Sequence, residues 1–104
     1  MDLSDMKPVS ASREILAWDP DYTVTRMTHE RGLDNPPHHH PHKQVIYVLE
    51  GNGVFVRGDE EMEVNAGDTI IIGPDVPHTF KYTTVKTVWL EYFTPGREDF
   101  PHQA

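Results

Sequence analysis

Four of the seven histidines of this chain fall within five positions, in Pro36-Pro37-His38-His39-His40-Pro41-His42-Lys43-Gln44. Side chains on an extended backbone alternate between two faces, so residues of equal parity point the same way. His38, His40 and Gln44 share parity and can enter one cavity together. His78 follows a stiff Gly73-Pro74-Asp75-Val76-Pro77 corner and can complete the set from another strand. Imidazole nitrogens are the commonest protein ligands for zinc, iron, nickel and copper. The clustering points to a divalent metal ion held inside a β-structure by His38, His40, Gln44 and His78. The competing reading is a solvated His/Pro connection that takes up metal loosely. The run is interior and leads directly into an apolar strand, which sets it apart from an expression tag.

Three imidazoles and an amide oxygen form a neutral shell. The ion keeps its double charge, and positions stay open for water or substrate. The donor set admits one divalent transition metal, zinc, nickel, iron or manganese, and does not choose among them. For Gln44 the alternative is a cavity-facing amide bonded to water. His42 has the right parity, but Pro41 interrupts the register, which assigns His42 to the rim or to the layer behind the ligands. His39 is expected to face away, and His29 and His102 read as surface histidines. Glu50, beside a turn, reads as solvent-exposed. Tyr47, Trp89 and Phe93 read as core aromatics before substrate platforms.

A framework must hold these residues. The chain has 104 residues, which bounds it to one domain with a thin core, so a homodimer is expected. Nine basic residues stand against 17 acidic ones, a net charge of −8, which argues against nucleic acid and anionic membranes as partners. There is no cysteine, hence no disulfide framework and no thiolate chemistry. Residues 1–12 have no signal-like apolar core and no run approaches the ~20 residues of a membrane span, so a cytoplasmic location is expected. Glycine elbows of serine hydrolases, phosphate loops and dinucleotide fingerprints are absent.

Residues 1–13 are polar and mixed, and read as a loose arm with at most a helical turn nearby. Strand patterns cover Tyr22–Thr28, Gln44–Leu49, Val54–Arg57, Met62–Val64, Thr69–Ile72, Thr79–Thr84 and Thr87–Phe93, with Gly and Pro between them. Thr69–Ile72 reads as a strand buried on both sides. Residues 31–37 read as a loop. Seven or eight short strands without a helical period predict an all-β sandwich or barrel.

The stretch from Pro37 to Phe80 resembles the cupins, with Gly32 just ahead of it. Gly32, His38, His40, Gln44 and Gly51 occupy the pattern of the first cupin motif. Gly67, the Thr69–Ile72 strand, the Pro-rich corner and His78 occupy the second. The resemblance implies a single-domain double-stranded β-helix (jelly-roll) barrel over residues 21–104, preceded by an arm at 1–20. Two departures stand out: Gln44 replaces the usual glutamate, and Gly73 replaces the first proline of the second motif.

Trp89, Glu91 and Phe93 share one face of the last strand, and Arg97 follows it. This pattern resembles the small cupins of pectin and alginate breakdown, whose tails carry Asp-x-Phe and, four residues on, Arg. Glu91, Phe93 and Arg97 fall on those positions, with Glu91 one methylene longer than the family's Asp. The resemblance implies a metal-dependent enzyme that converts 4,5-unsaturated uronates to the open-chain keto acid. Glu91 would move a proton, Arg97 would clamp the substrate carboxylate, and Phe93 and Trp89 would contact the ring. The net negative charge counts against an anionic substrate unless the cavity is locally positive. Two alternatives stay open: another metal-dependent cupin enzyme, such as an Fe(II) dioxygenase or an isomerase, or a non-catalytic metal- or sugar-binding module.

Overall fold

The computed structural model describes residues 11–33 and 36–100. They form nine strands and, among the described residues, no helix. The strands are β1 (Ala11–Asp19), β2 (Tyr22–His29), β3 (Gly32–Leu33), β4 (Lys43–Glu50), β5 (Asn52–Arg57), β6 (Glu60–Asn65), β7 (Thr69–Ile72), β8 (His78–Thr83) and β9 (Thr87–Thr94). A five-stranded sheet runs β1-β2-β9-β4-β7 and a four-stranded sheet runs β3-β8-β5-β6. Every pairing is antiparallel. The molecule is the expected all-β jelly roll.

Alternation decides which side chains enter the barrel. Along β4, Gln44, Ile46 and Val48 are buried. The register carries this parity across the large sheet. One inward row holds Arg13, Met27, Trp89 and Val48, the next Ile15, Thr25, Glu91 and Ile46, and the next Thr23, Phe93, Gln44 and Ile72. The apolar end of the barrel is closed by Ile46, Val48, Phe55, Val64, Ile70, Ile72, Phe80 and Trp89. The polar residues of the same rows collect toward the other end. Gly51 allows the tight passage from β4 to β5: its φ is +107°, and a Cβ there would sit 2.6 Å from the Thr87 Cα.

Several expectations are corrected. Residues 11–19, expected within a loose arm or near a helical turn, form edge strand β1; residues 1–10 lie outside the described ones. The hairpin from β1 to β2 turns on Pro20-Asp21, and Asp19 Oδ1 accepts the Asp21 N–H at 2.9 Å, which fixes the turn. The 31–37 loop contains the short strand β3, which pairs with β8. Strand β7 is an edge strand and is not buried on both sides: Ile70 and Ile72 face the core, while Ile71 is 67% exposed. Tyr47 points outward by parity instead of joining the core. His29 is buried, its ring 5.7 Å from that of Trp89, because it ends β2 on the inward parity of Thr23 and Thr25. His102 lies outside the described residues.

Candidate metal centre

Backbone bonds set the histidines before any side chain acts. His38 and His78 form an isolated antiparallel bridge, with His38 N donating to His78 O at 3.1 Å and His78 N donating to His38 O at 2.9 Å. The Pro-rich corner adds a third tie, Asp75 N to His40 O at 2.7 Å. Asp75 itself takes φ 60°, a left-handed conformation that Asp tolerates better than most residues. The donor atoms of His38, His40 and His78 consequently lie within 4.8 Å of one another. Their rings are 4.5 Å (His38–His78) and 5.0 Å (His40–His78) apart.

Hydrogen bonding fixes what these rings present. His40 Nδ1 lies 3.1 Å from the His42 carbonyl, and His78 Nδ1 lies 2.8 Å from the Val76 carbonyl. A carbonyl only accepts, so the neutral His78 ring carries its proton on Nδ1 and its Nε2 offers a lone pair. Gln44 Nε2 donates to Glu91 Oε2 at 2.8 Å, which leaves Gln44 Oε1 facing inward, 2.9 Å from His40 Nε2. The neutral His40 ring thus has one proton for two acceptors, the His42 carbonyl at Nδ1 and Gln44 Oε1 at Nε2, and cannot serve both. His78 Nε2 is buried and finds no hydrogen-bond partner among the described residues. A divalent cation resolves both problems at once, because it is what such converging lone pairs need. The residues therefore fit the metal that their types imply. Burial, above all other causes, lowers the pKa of both His40 and His78 below the ordinary histidine value and keeps them neutral, the form that ligates.

The other histidines divide as parity suggests. His42 contributes its carbonyl to His40, behind the donor set. His39 faces away, 3.7 Å from Asp75 and largely exposed.

A cavity of about 240 Å³ adjoins the triad, and Arg13, His38, Gln44, His78, Trp89 and Glu91 are among its walls. Glu91 is buried. Its Oε1 accepts from Thr25 Oγ1 at 2.9 Å while its Oε2 holds Gln44. Trp89 lines the cavity, and its indole N–H has no acceptor among the described residues. Phe93 is buried against His40, with ring centroids 5.5 Å apart in an edge-on arrangement. Arg97 lies behind Phe93, at 4.8 Å from its ring. Its guanidinium is closed on Asp99 by bonds of 2.9 and 2.7 Å and holds the Asp99 pKa down at about 2. The sequence reading missed Arg13, which enters the cavity wall from β1. Its strand was hidden by a polar composition, and the signal for it was the turn chemistry of Asp19-Pro20-Asp21.

The Cupin_2 family, described as Cupin domain, matches residues 25–93, more than half of the chain. The chain belongs to the cupin family. An RmlC-like cupin from Shewanella frigidimarina NCIMB 400 superposes with a TM-score of 0.82 at 24% identity, over 93% of this cupin and 90% of that chain. KdgF from Halomonas sp. superposes with a TM-score of 0.80 at 26% identity, over 86% of this cupin and 82% of that chain. Among curated proteins, the uncharacterized protein MJ1618 of Methanocaldococcus jannaschii is 42% identical over 40 residues, 38% of this cupin. That match spans about a third of the relative's length (32%).

The centre makes a direct prediction. Calorimetric titration of metal-free protein with zinc should show one tight site per chain. His40→Ala and His78→Ala should each weaken it by about two orders of magnitude or more, since even supporting residues around a metal cost 10- to 100-fold. Unchanged affinity in either variant contradicts the centre.

Proposed function

We propose that this cupin is a metal-dependent enzyme that opens 4,5-unsaturated uronates to the keto acid, with His38, His40, His78 and Gln44 as the metal ligands. The observation that carries the proposal is a buried carboxylate, Glu91, one hydrogen bond from the metal-facing amide and on the wall of a cavity of monosaccharide scale. The last-strand pattern of Glu91, Phe93 and Arg97 supports the substrate class, as does the likeness to KdgF over most of both chains.

A divalent ion bound by this donor set would supply Lewis acidity toward a substrate oxygen. The chain's own residues do the rest. Glu91 carries the proton as the ring enol ether opens and becomes the ketone. Thr25 and Gln44 hold its two oxygens, so the carboxylate cannot swing away from the cavity. Trp89 gives the sugar ring a flat wall and an N–H donor. Phe93, expected to contact the sugar ring, is buried away from the cavity walls and backs His40 instead. Arg97 contributes positive charge: it is among the causes that lower the pKa of His40 and His78, after burial. That local charge counters the overall net charge of −8 when an anionic sugar approaches.

A second copy of the chain is the partner we infer, through the outer face of the large sheet. The register aligns Ala17, Val24, Tyr92, Val45 and Ile71 into one apolar row across all five strands. Tyr22 stacks on Tyr92 with ring centroids 5.8 Å apart. Ile71 and Tyr92 are exposed in the single chain, and a two-fold axis would bury the row against its own copy.

Two measurements check these readings. The zinc-, nickel- or iron-loaded protein should accelerate the loss of ultraviolet absorbance of unsaturated galacturonate, and Glu91→Gln should slow it by about 10²-fold or more while metal content is retained. No acceleration over buffer by any loaded form contradicts the reaction. In sedimentation equilibrium the wild type should run at twice the monomer mass and Tyr92→Lys as a monomer; a monomeric wild type contradicts the pairing.

A further inference from the structure

An acid substrate needs a cation with free, directed donors. Asp99 takes one bidentate edge of Arg97, Nε and Nη2, at 2.9 and 2.7 Å and offsets its charge, and Arg97 is not among the walls of the cavity. Arg13 is. It sits on the inward parity of β1, opposite Met27, and lines the cavity with His38, His78 and Glu91. Its guanidinium lies over the Phe100 ring at 4.1 Å, and Arg97 lies over the same ring at 4.2 Å. Both guanidinium groups thus lie against Phe100, a cation–π contact that uses none of the N–H donors of Arg13.

The one ion pair of Arg13 among the described residues is loose. Its Nη2 stands 3.6 Å from Glu91 Oε1, beyond hydrogen-bond length, and that oxygen already accepts from Thr25. The Arg13 side chain lines the cavity and is 36% exposed, so it is open to solvent as well. Arg13, Glu91, His38 and His78 line one cavity, so that a ligand with an oxygen at these histidines can set a carboxylate against Arg13.

We propose that Arg13 is the specificity-determining residue of the site, binding the carboxylate of a small sugar acid through its forked N–H edge and giving the cavity its preference for acids over neutral sugars; this rests on the reading of the cavity as the substrate site. It moves the anion-binding role from Arg97, which shapes the site through Asp99, Phe93 and Phe100, to a residue on the first strand. Arg13 also places its positive charge beside Glu91, so a bound carboxylate and the proton-carrying carboxylate share one cation.

The test uses zinc-loaded protein and two probes that undergo no reaction, D-galacturonate and the neutral D-galactose, titrated by calorimetry. Wild type should bind galacturonate more tightly than galactose. Arg13→Ala should weaken galacturonate by about tenfold or more, the scale of a charged hydrogen bond, and leave galactose unchanged; Arg13→Lys should fall between them. Zinc content and circular dichroism establish that each variant is loaded and folded. Equal galacturonate affinity in wild type and Arg13→Ala overturns the assignment. So does an equal loss for both sugars, or a wild type that does not distinguish them. If unsaturated galacturonate is not turned over but galacturonate binding still depends on Arg13, the reaction falls and the anion site stands.

Discussion

The neutral His40 ring has one proton for two acceptors, the His42 carbonyl 3.1 Å from its Nδ1 and Gln44 Oε1 2.9 Å from its Nε2. That shortfall is the constraint on which the rest of the site depends. Glu91 accepts from the Gln44 amide nitrogen and so turns the amide oxygen inward. The Val76 carbonyl accepts from His78 Nδ1 and leaves His78 Nε2 without a partner among the described residues. These buried hydrogen bonds turn acceptor atoms toward one point, an arrangement that a bound cation satisfies.

Gln44 and Glu91 then read as a coupled pair. A glutamate at position 44 would set two carboxylates against each other across neighbouring strands, and one of them would have to hold a proton. With an amide at 44 the carboxylate is moved one strand over, to Glu91 on β9, where it orients the amide and stays free of the donor set. The donor set is neutral and the carboxylate sits on the cavity wall. The antiparallel register makes this possible: Gln44 lies opposite Phe93, and Glu91 lies opposite Ile46, so both polar side chains point inward from adjacent rows.

Much of this was legible in the residues. Period-two alternation identified His38, His40 and Gln44 as one set, and the stiff Gly73–Pro77 corner identified His78 as its complement. The same parity placed Trp89 and Glu91 on the cavity wall. What stayed hidden follows a pattern. Strand β1 carries Arg, Glu and Ser where a strand usually shows apolar alternation, because it is an edge strand whose inward Arg13 lines a polar part of the cavity. Apolar β7 looked doubly buried because composition does not tell a core strand from an edge whose outer face is also apolar. His29 looked like a surface residue because a histidine among threonines carries no hydrophobic signal, although its parity is inward. The engagement of Arg97 by Asp99, two residues on, is a local side-chain pairing that no periodicity reports.

The central claim is that the converging lone pairs of His38, His40, His78 and Gln44 hold one divalent ion. A crystal structure of the nickel-loaded protein, with anomalous difference data at the nickel edge, tests it most directly. The account predicts one strong peak per chain at about 2.0–2.2 Å from three imidazole nitrogens and the Gln44 amide oxygen, the distances typical of such transition-metal bonds. A peak elsewhere, no peak at full nickel occupancy of the solution, or a Gln44 amide turned so that its nitrogen faces the ion would contradict it.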